Sequence, residues 1–301
     1  MNRREFLQNT AVGAAAVAVG ASWATRVLAS PYSLPVGIEL WTVRDQMDKD
    51  PRRTIEALGK IGYKEVEIVQ PEDGVGDPPR IYGMTGKEFA KLLRDNGMRA
   101  PSGHYMLAAT QNHWDWSIEQ AHDMGLEYMT NAGLVAEDIR DGSLDAWKRL
   151  VDIFNKAAEP VQKAGMTYNY HNHNYEFVKL GDTTPYEYLT ANLDPKIKFT
   201  LDCYWAVNAG HDPVELIKAR PGRVPILHIK DMPKGVPRSL EYAQIKGQFV
   251  EIGTGIIDWK RIFKAAPVGG MKHYYYEQDV CDMPPLESAK ISFDYLNNLT
   301  V

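Results

Sequence analysis

Residues 166–173 read MTYNYHNH and run on into NYEF at 174–177, so two histidines alternate with asparagines and a glutamate follows. Read alone, the run suggests an HNH nuclease. Read as one strand in a repeating strand–helix series, it is one segment of a barrel. The neighbouring sequence decides. IKFTLD (197–202), VPILHIK (224–230) and KHYYYEQD (272–279) follow it, and VGIELW (36–41), KEVEIV (64–69), MRAPSGH (98–104) and LEYMTN (126–131) precede it. Eight such runs are what a closed parallel barrel needs. A ββα nuclease motif does not match a strand inside this pattern, and a net charge of −5 offers no attraction for a phosphate backbone, so no nucleic-acid partner is expected.

Helical patterns fill the gaps. TIEALGKIG, GKEFAKLLRDNG, TPYEYLTANL, DPVELIKA and DWKRIFKAA are amphipathic. The longest is SLDAWKRLVDIFNKAAEPVQKAG, with Ser143 as its cap and Leu144, Trp147, Leu150, Val151 and Phe154 as its apolar stripe. Two connections, 70–84 and 231–256, exceed simple turns and lie after strands two and seven, on the side where a barrel keeps its site. The expected fold is α/β, a single (β/α)8 TIM barrel over 30–301.

Residues 1–29 read as a leader of twin-arginine type, with Arg3–Arg4, Phe6–Leu7 and a small-residue apolar run. That run is too short and weakly apolar for a membrane span, so no stable membrane anchor is expected, and the protein is expected in the periplasm or secreted. Cys203 and Cys281 leave a single disulfide open.

The reactive side chains gather at strand ends. Glu39 lies in strand one, His104 ends strand three and Asn131 ends strand four. His171, His173 and Glu176 end strand five, Asp202 ends strand six, His228 and Lys230 end strand seven, and Glu277 ends strand eight. Asp202, His228 and Glu277 form an oxygen- and nitrogen-rich set suited to Mn, Fe, Co, Zn or Mg. A fourth metal ligand is expected from strand five: Glu176, with either histidine as its alternative. Each has a plainer role available: His228 as a bonded core histidine, Glu277 as a salt-bridge partner, Asp202 as a helix cap. Their joint placement on consecutive strands argues for a site. Trp41, Trp205 and Tyr105 can wall a sugar ring or simply pack, and QNHWDWS (111–117) is expected at the rim.

In this order, YHNHNYEF, LDCYWAVNAGHDP, ILHIKD and YYYEQD, together with VGIELWTVRD and EIGTGIIDW, resemble the xylose-isomerase-like barrel superfamily. The likeness is to its sugar phosphate isomerase/epimerase group and covers the mature chain. It implies a divalent metal held by Glu, Asp, His and Glu. Asp202, His228 and Glu277 take the last three places, and Glu176 takes the first, where this chain departs from the pattern with HNH. It implies proton abstraction beside a polarised carbonyl to give an enediolate. Glu277 and Glu176 are the expected carboxylate pair, Lys230 and His173 the supporting catalytic groups. Glu39, His104, Asn131, His171 and Trp205 are expected on the carbohydrate substrate. Isomerisation or epimerisation of a keto-sugar is one outcome. β-Elimination from a 3-keto-glycoside is the other, and a barrel that binds sugar without turnover is a third reading. An oxidoreductase of the same pathway is the expected partner, and a homo-oligomer is compatible. GTG at 253–255 is too short to read as a phosphate cradle rather than a turn.

Overall fold

A computed structural model describes residues 34–70, 80–134 and 142–301. The expected leader (1–29) and most of the connection 70–84 lie outside the described residues. No helix among those described is long and apolar enough to cross a membrane.

Eight parallel strands close on themselves in sequence order: β1 (Gly37–Glu39), β2 (Glu65–Val69), β3 (Arg99–Tyr105), β4 (Tyr128–Asn131), β5 (Thr167–His171), β6 (Lys198–Asp202), β7 (Ile226–Ile229) and β8 (His273–Tyr276). The closing pair is β1 with β8, in register Gly37 to Tyr275. This is the (β/α)8 TIM barrel, and every strand falls within its expected run except β3, which continues one residue further to Tyr105. Gly37 allows the closure, because a Cβ there would meet the Tyr275 ring at 2.6 Å and the Tyr274 carbonyl at 2.7 Å.

Helices form where capping and periodicity agree. Leu144–Lys163 starts at Ser143, whose hydroxyl accepts the Ala146 amide. It buries Trp147, Leu150, Val151 and Phe154, while Leu144 is only half-buried. Gly86–Asp95 and Pro185–Asn192 begin with capping boxes, Thr85 with Glu88 and Thr184 with Glu187. Two expectations change. QNHWDWS is not a loop rim: Trp114–Met124 is a helix whose Trp114 is buried and donates its Nε1–H to the Ala157 carbonyl at 2.9 Å. A C-terminal helix, Pro285–Asn298, also closes the outer layer; its mixed polar sequence carries only a weak apolar stripe. Cys203 and Cys281 are free thiols.

The barrel interior is polar. Ser102 Oγ donates to Glu67 at 2.5 Å and lies 3.4 Å from Thr130 Oγ1, which is 3.3 Å from Thr200 Oγ1. Branched apolar side chains usually fill this layer. Here a hydroxyl belt supports the carboxylates and imidazoles above it.

After β7 the chain runs from Asp231 to Asp258 across the mouth before the next helix, Trp259–Gly269. Asp231 organises that passage. One oxygen accepts the amides of Met232 (2.8 Å) and Ile257 (3.2 Å). The other accepts the amides of Gly253 (2.9 Å) and Gly255 (3.3 Å) and the Trp259 indole N–H (3.0 Å). The two glycine amides of GTG therefore face an internal carboxylate and the Thr254 amide donates to the Glu251 carbonyl, which accounts for the turn without any external anion. Gly255 is required there, since a Cβ would meet Asp231 Oδ1 at 2.2 Å. Replacing Asp231 with Ala leaves five donors without their acceptor. It should cost on the order of 3 kcal/mol or more, read as a lowered denaturation midpoint. A change within experimental error would contradict this role.

Candidate functional site

Four buried side chains from four consecutive strand ends, His171, Asp202, His228 and Glu277, each offer one ligand atom, and all four atoms lie within 4.8 Å of one another. His171 Nε2 stands 3.4 Å from Asp202 Oδ2, and His228 Nδ1 stands 2.8 Å from Glu277 Oε2. Asp202 also caps the helix that follows, Cys203–Asn208, by accepting the Trp205 amide at 2.8 Å. The capping and site roles are thus compatible: Oδ1 serves the helix and Oδ2 faces the cluster.

Lys230 neutralises this group. Its ammonium lies 3.2 Å from Asp202, 2.9 Å from Glu277 and 2.9 Å from Asp279. Burial alone would strip its proton, but the three carboxylates outweigh it and hold Lys230 well above its ordinary range. Burial would likewise raise Asp202 and Glu277. Lys230, with His171 beside Asp202 and His228 beside Glu277, holds both carboxyls below theirs. Asp279 is different: burial and the nearby Glu277 charge push it up to about 7 against the pull of Lys230. Burial, with Glu277 and Glu67 nearby, raises Glu39 well above the usual carboxylate range. Burial also depresses His104 to about 3, against the pull of Glu67, and His173 well below normal.

A second triad, Glu67, His104 and His228, shares His228 with the first. His228 Nε2 lies 2.5 Å from Glu67 Oε2, and His104 Nε2 lies 3.3 Å from the same oxygen. Burial would raise Glu67, but His104, His228 and Ser102 hold it at about 2. Glu67 is therefore a fixed anion that takes the Nε2–H of His228 and turns Nδ1 toward the four-residue cluster. Glu67→Gln should weaken divalent-metal affinity about 10- to 100-fold in a chelator competition; unchanged affinity would remove Glu67 from this role.

Of the strand-five candidates, the structure brings His171, rather than Glu176, into the cluster. Glu176 is buried but outside the cluster, with one oxygen on the Tyr170 hydroxyl at 2.7 Å and the other on the His173 amide at 2.9 Å. Burial pushes its carboxyl up to about 8, opposed by those hydrogen bonds. His171 stands in its place. The asparagines of the HNH run serve as braces: Asn172 accepts the Asp202 amide at 3.0 Å, and Asn174 donates to Asn208 at 3.0 Å.

The cluster opens into a cavity of about 580 Å³. Glu39, His104, His171, His173, Glu277 and Asp279 contribute its polar lining, and Trp41 part of its wall. Trp205 lies behind that wall, buried with Tyr204, Met232 and Phe249, its ring 5.5 Å from the Lys230 ammonium. Tyr105 packs edge-on against Trp114 in the core, and Asn131 is buried with Nδ2 3.5 Å from the Tyr105 carbonyl. Sequence reasoning missed Glu67, Asp279, Tyr242 and Gln244. For two of them a signal existed: Glu67 is a glutamate in a strand flanked by apolar residues, and Asp279 stands two residues beyond Glu277 on the same strand end. Gln244 binds Asp279 Oδ1 at 2.8 Å from the far side of the mouth, a long-range contact with no local signature.

Two carboxylate oxygens and two imidazole nitrogens in one buried group, with fixed counter-charge alongside, are consistent with a divalent metal site. A family model described as xylose isomerase-like TIM barrel matches residues 55–295. Inosose dehydratase of Geobacillus kaustophilus is 29% identical over 164 residues, 51% of this chain and 53% of that protein. The chain thus spans about half the length of the first curated relatives it matches. A longer match, to inosose dehydratase of Clostridium botulinum, is 26% identical over 288 residues, 85% of this chain and 92% of that protein. Among solved structures, a sugar phosphate isomerase/epimerase of Parabacteroides distasonis superposes with a TM-score of 0.72 at 26% identity, covering 87% of this chain and 93% of that one.

Proposed function

Because this chain belongs to the xylose isomerase-like TIM barrel family, we propose that it is a metal-dependent sugar-modifying enzyme that removes a proton from the carbon beside a ketone. The substrate is a keto-sugar or a similar polyhydroxylated ring ketone. One observation carries the reading: the His171, Asp202, His228 and Glu277 cluster opens into a cavity whose other polar groups suit acid–base work. A divalent ion held by those four residues would polarise the substrate ketone and acidify the adjacent C–H.

The chain's own residues divide the remaining tasks. Asp279 lines the cavity, its two oxygens fixed by Lys230 and Gln244, and is placed to accept the proton. Lys230 supplies a fixed positive charge where negative charge develops on the substrate oxygen. Glu39 keeps its proton through burial and can give it to a departing oxygen. His104 and His173, both neutral, bind hydroxyls.

These carboxyl groups come from one side. Glu39 ends β1, and Glu277 and Asp279 follow the adjoining β8, while His104, His171 and His173 face them from β3 and the end of β5. The expected second carboxylate, Glu176, points elsewhere. Epimerisation by two opposed carboxylates needs that second base, so the asymmetry favours β-elimination: the proton leaves to Asp279, the carbon–oxygen bond breaks, and the released alcohol takes a proton from Glu39. The dehydratase names of the sequence relatives agree with this outcome. Isomerisation or epimerisation remains the second reading, favoured by the likeness to the Parabacteroides protein. In the elimination reading the ring ketone is the product of an earlier alcohol oxidation, so an oxidoreductase would act at the preceding step.

Metal-loaded protein incubated in D₂O with 3-keto-glucosides and free ketoses, followed by NMR, tests the proposal. Deuterium uptake with release of the substituent supports elimination, and uptake with retention supports epimerisation. No exchange across the panel would leave a sugar-binding barrel and contradict the enzyme reading.

A further inference from the structure

The cavity is sorted by depth. Its floor is polar and buried, with Glu39, His104, His171, Glu277 and Asp279 at 5% exposure or less. Its outer wall is apolar and only partly covered: Trp41, Met106, Leu134 and Tyr175 are half-buried, and Tyr242 is 43% exposed. Tyr242 stands edge-on to His173 at 4.8 Å and to Tyr175 at 6.0 Å, so the wall is braced from the polar floor upward. At about 580 Å³ the space suits a drug-sized ligand, more than a lone hexose fills.

Charge sharpens the point. Among the described residues, none of those lining the cavity is a lysine or arginine. Lys230, beneath, is held by three carboxylates. The nearby Arg44 is also committed: its guanidinium lies 4.5 Å over the Trp41 ring and donates to the carbonyls of Trp41 and Asp279. The glycine amides of 253 and 255 are taken by Asp231. A phosphate in the outer half would lose water and meet no cation among the described lining residues. An apolar group there would cover exposed aromatic surface.

We propose that the substrate carries an uncharged aryl or alkyl substituent on its oxidised sugar ring, the ring on the polar floor and the substituent against Tyr175, Tyr242, Leu134 and Trp41. This deepens the proposed function and rests on it. In the elimination the substituent leaves as its neutral alcohol or phenol, carrying the carbon–oxygen bonding electrons and one proton.

The test compares phenyl 3-keto-glucoside, unsubstituted 3-keto-glucose and 3-keto-glucose 6-phosphate on the metal-loaded protein. Affinities come from calorimetry and deuterium exchange from NMR. The phenyl compound should bind at least about 10-fold tighter than either of the others, and Tyr242→Ala and Leu134→Asp should each collapse that ratio toward one. Exchange on all three compounds without a phenyl preference, or with the phosphate bound tightest, overturns this inference alone. A ratio untouched by both variants also overturns it. No exchange on any compound overturns the underlying enzyme reading instead.

Discussion

His228→Ala should leave the protein unable to retain a divalent metal through dialysis, with affinity down at least about 100-fold, beyond what loss of a supporting residue produces. The argument is geometric. His228 is fully buried and stands between two carboxylates, with Nδ1 at 2.8 Å from Glu277 and Nε2 at 2.5 Å from Glu67. Burial would remove its proton, but those two anions outweigh it and keep the imidazole well above its ordinary range in the metal-free protein. Alanine removes one ligand and also leaves two buried carboxylates facing a void, about 3–5 kcal/mol of stability. Circular dichroism therefore accompanies the metal assay. Glu176→Gln is the control. It mimics the protonated acid that the Tyr170 hydroxyl and His173 amide already hold, so metal content should stay at the wild-type level. Metal retained by folded His228→Ala would remove the cluster from the account.

Lys230→Met should have the second large effect, this time on the reaction rather than on metal choice. The ammonium is the one cation shared by Asp202, Glu277 and Asp279 in the described site. Its removal withdraws the fixed charge that faces the developing oxyanion, so proton exchange should slow about 10²- to 10³-fold with metal still bound. The three carboxylates then repel one another, Asp279 rises above its present value of about 7, and stability falls by about 3–5 kcal/mol. Excess metal should recover part of the stability and little of the rate. Exchange at the wild-type rate would exclude Lys230 from catalysis.

The fold was legible because its signals are local and repeated. Strand runs such as IKFTLD and VPILHIK alternate with capped amphipathic helices, and a closed barrel pairs neighbours in chain order, so no long-range pairing had to be guessed. Asp202, His228 and Glu277 were legible for the same reason, since each ends a strand. The fourth position was not. β5 ends at His171, and Asn172 and Asn174 then pin the chain into a turn, with Tyr175–Phe177 a single 3-10 turn. The side-chain alternation that would place later residues stops there, and Glu176 faces Tyr170. Glu67 escaped because attention to strand ends passes over a mid-strand residue whose importance appears only when the barrel closes and brings it to His228, 161 residues away in sequence. The mouth was least readable. Tyr242 and Gln244 reach His173 and Asp279 through a loop held by long-range hydrogen bonds with Asp231, Asn174 and Asn208.

Crystals of the metal-loaded protein, measured at the absorption edge of the bound ion, test the central claim most directly. The account predicts one anomalous peak within bonding distance of His171, Asp202, His228 and Glu277, with Glu176 still bound to Tyr170. A peak on the Glu67, His104 and His228 triad instead, or one ligated by Glu176, would contradict it.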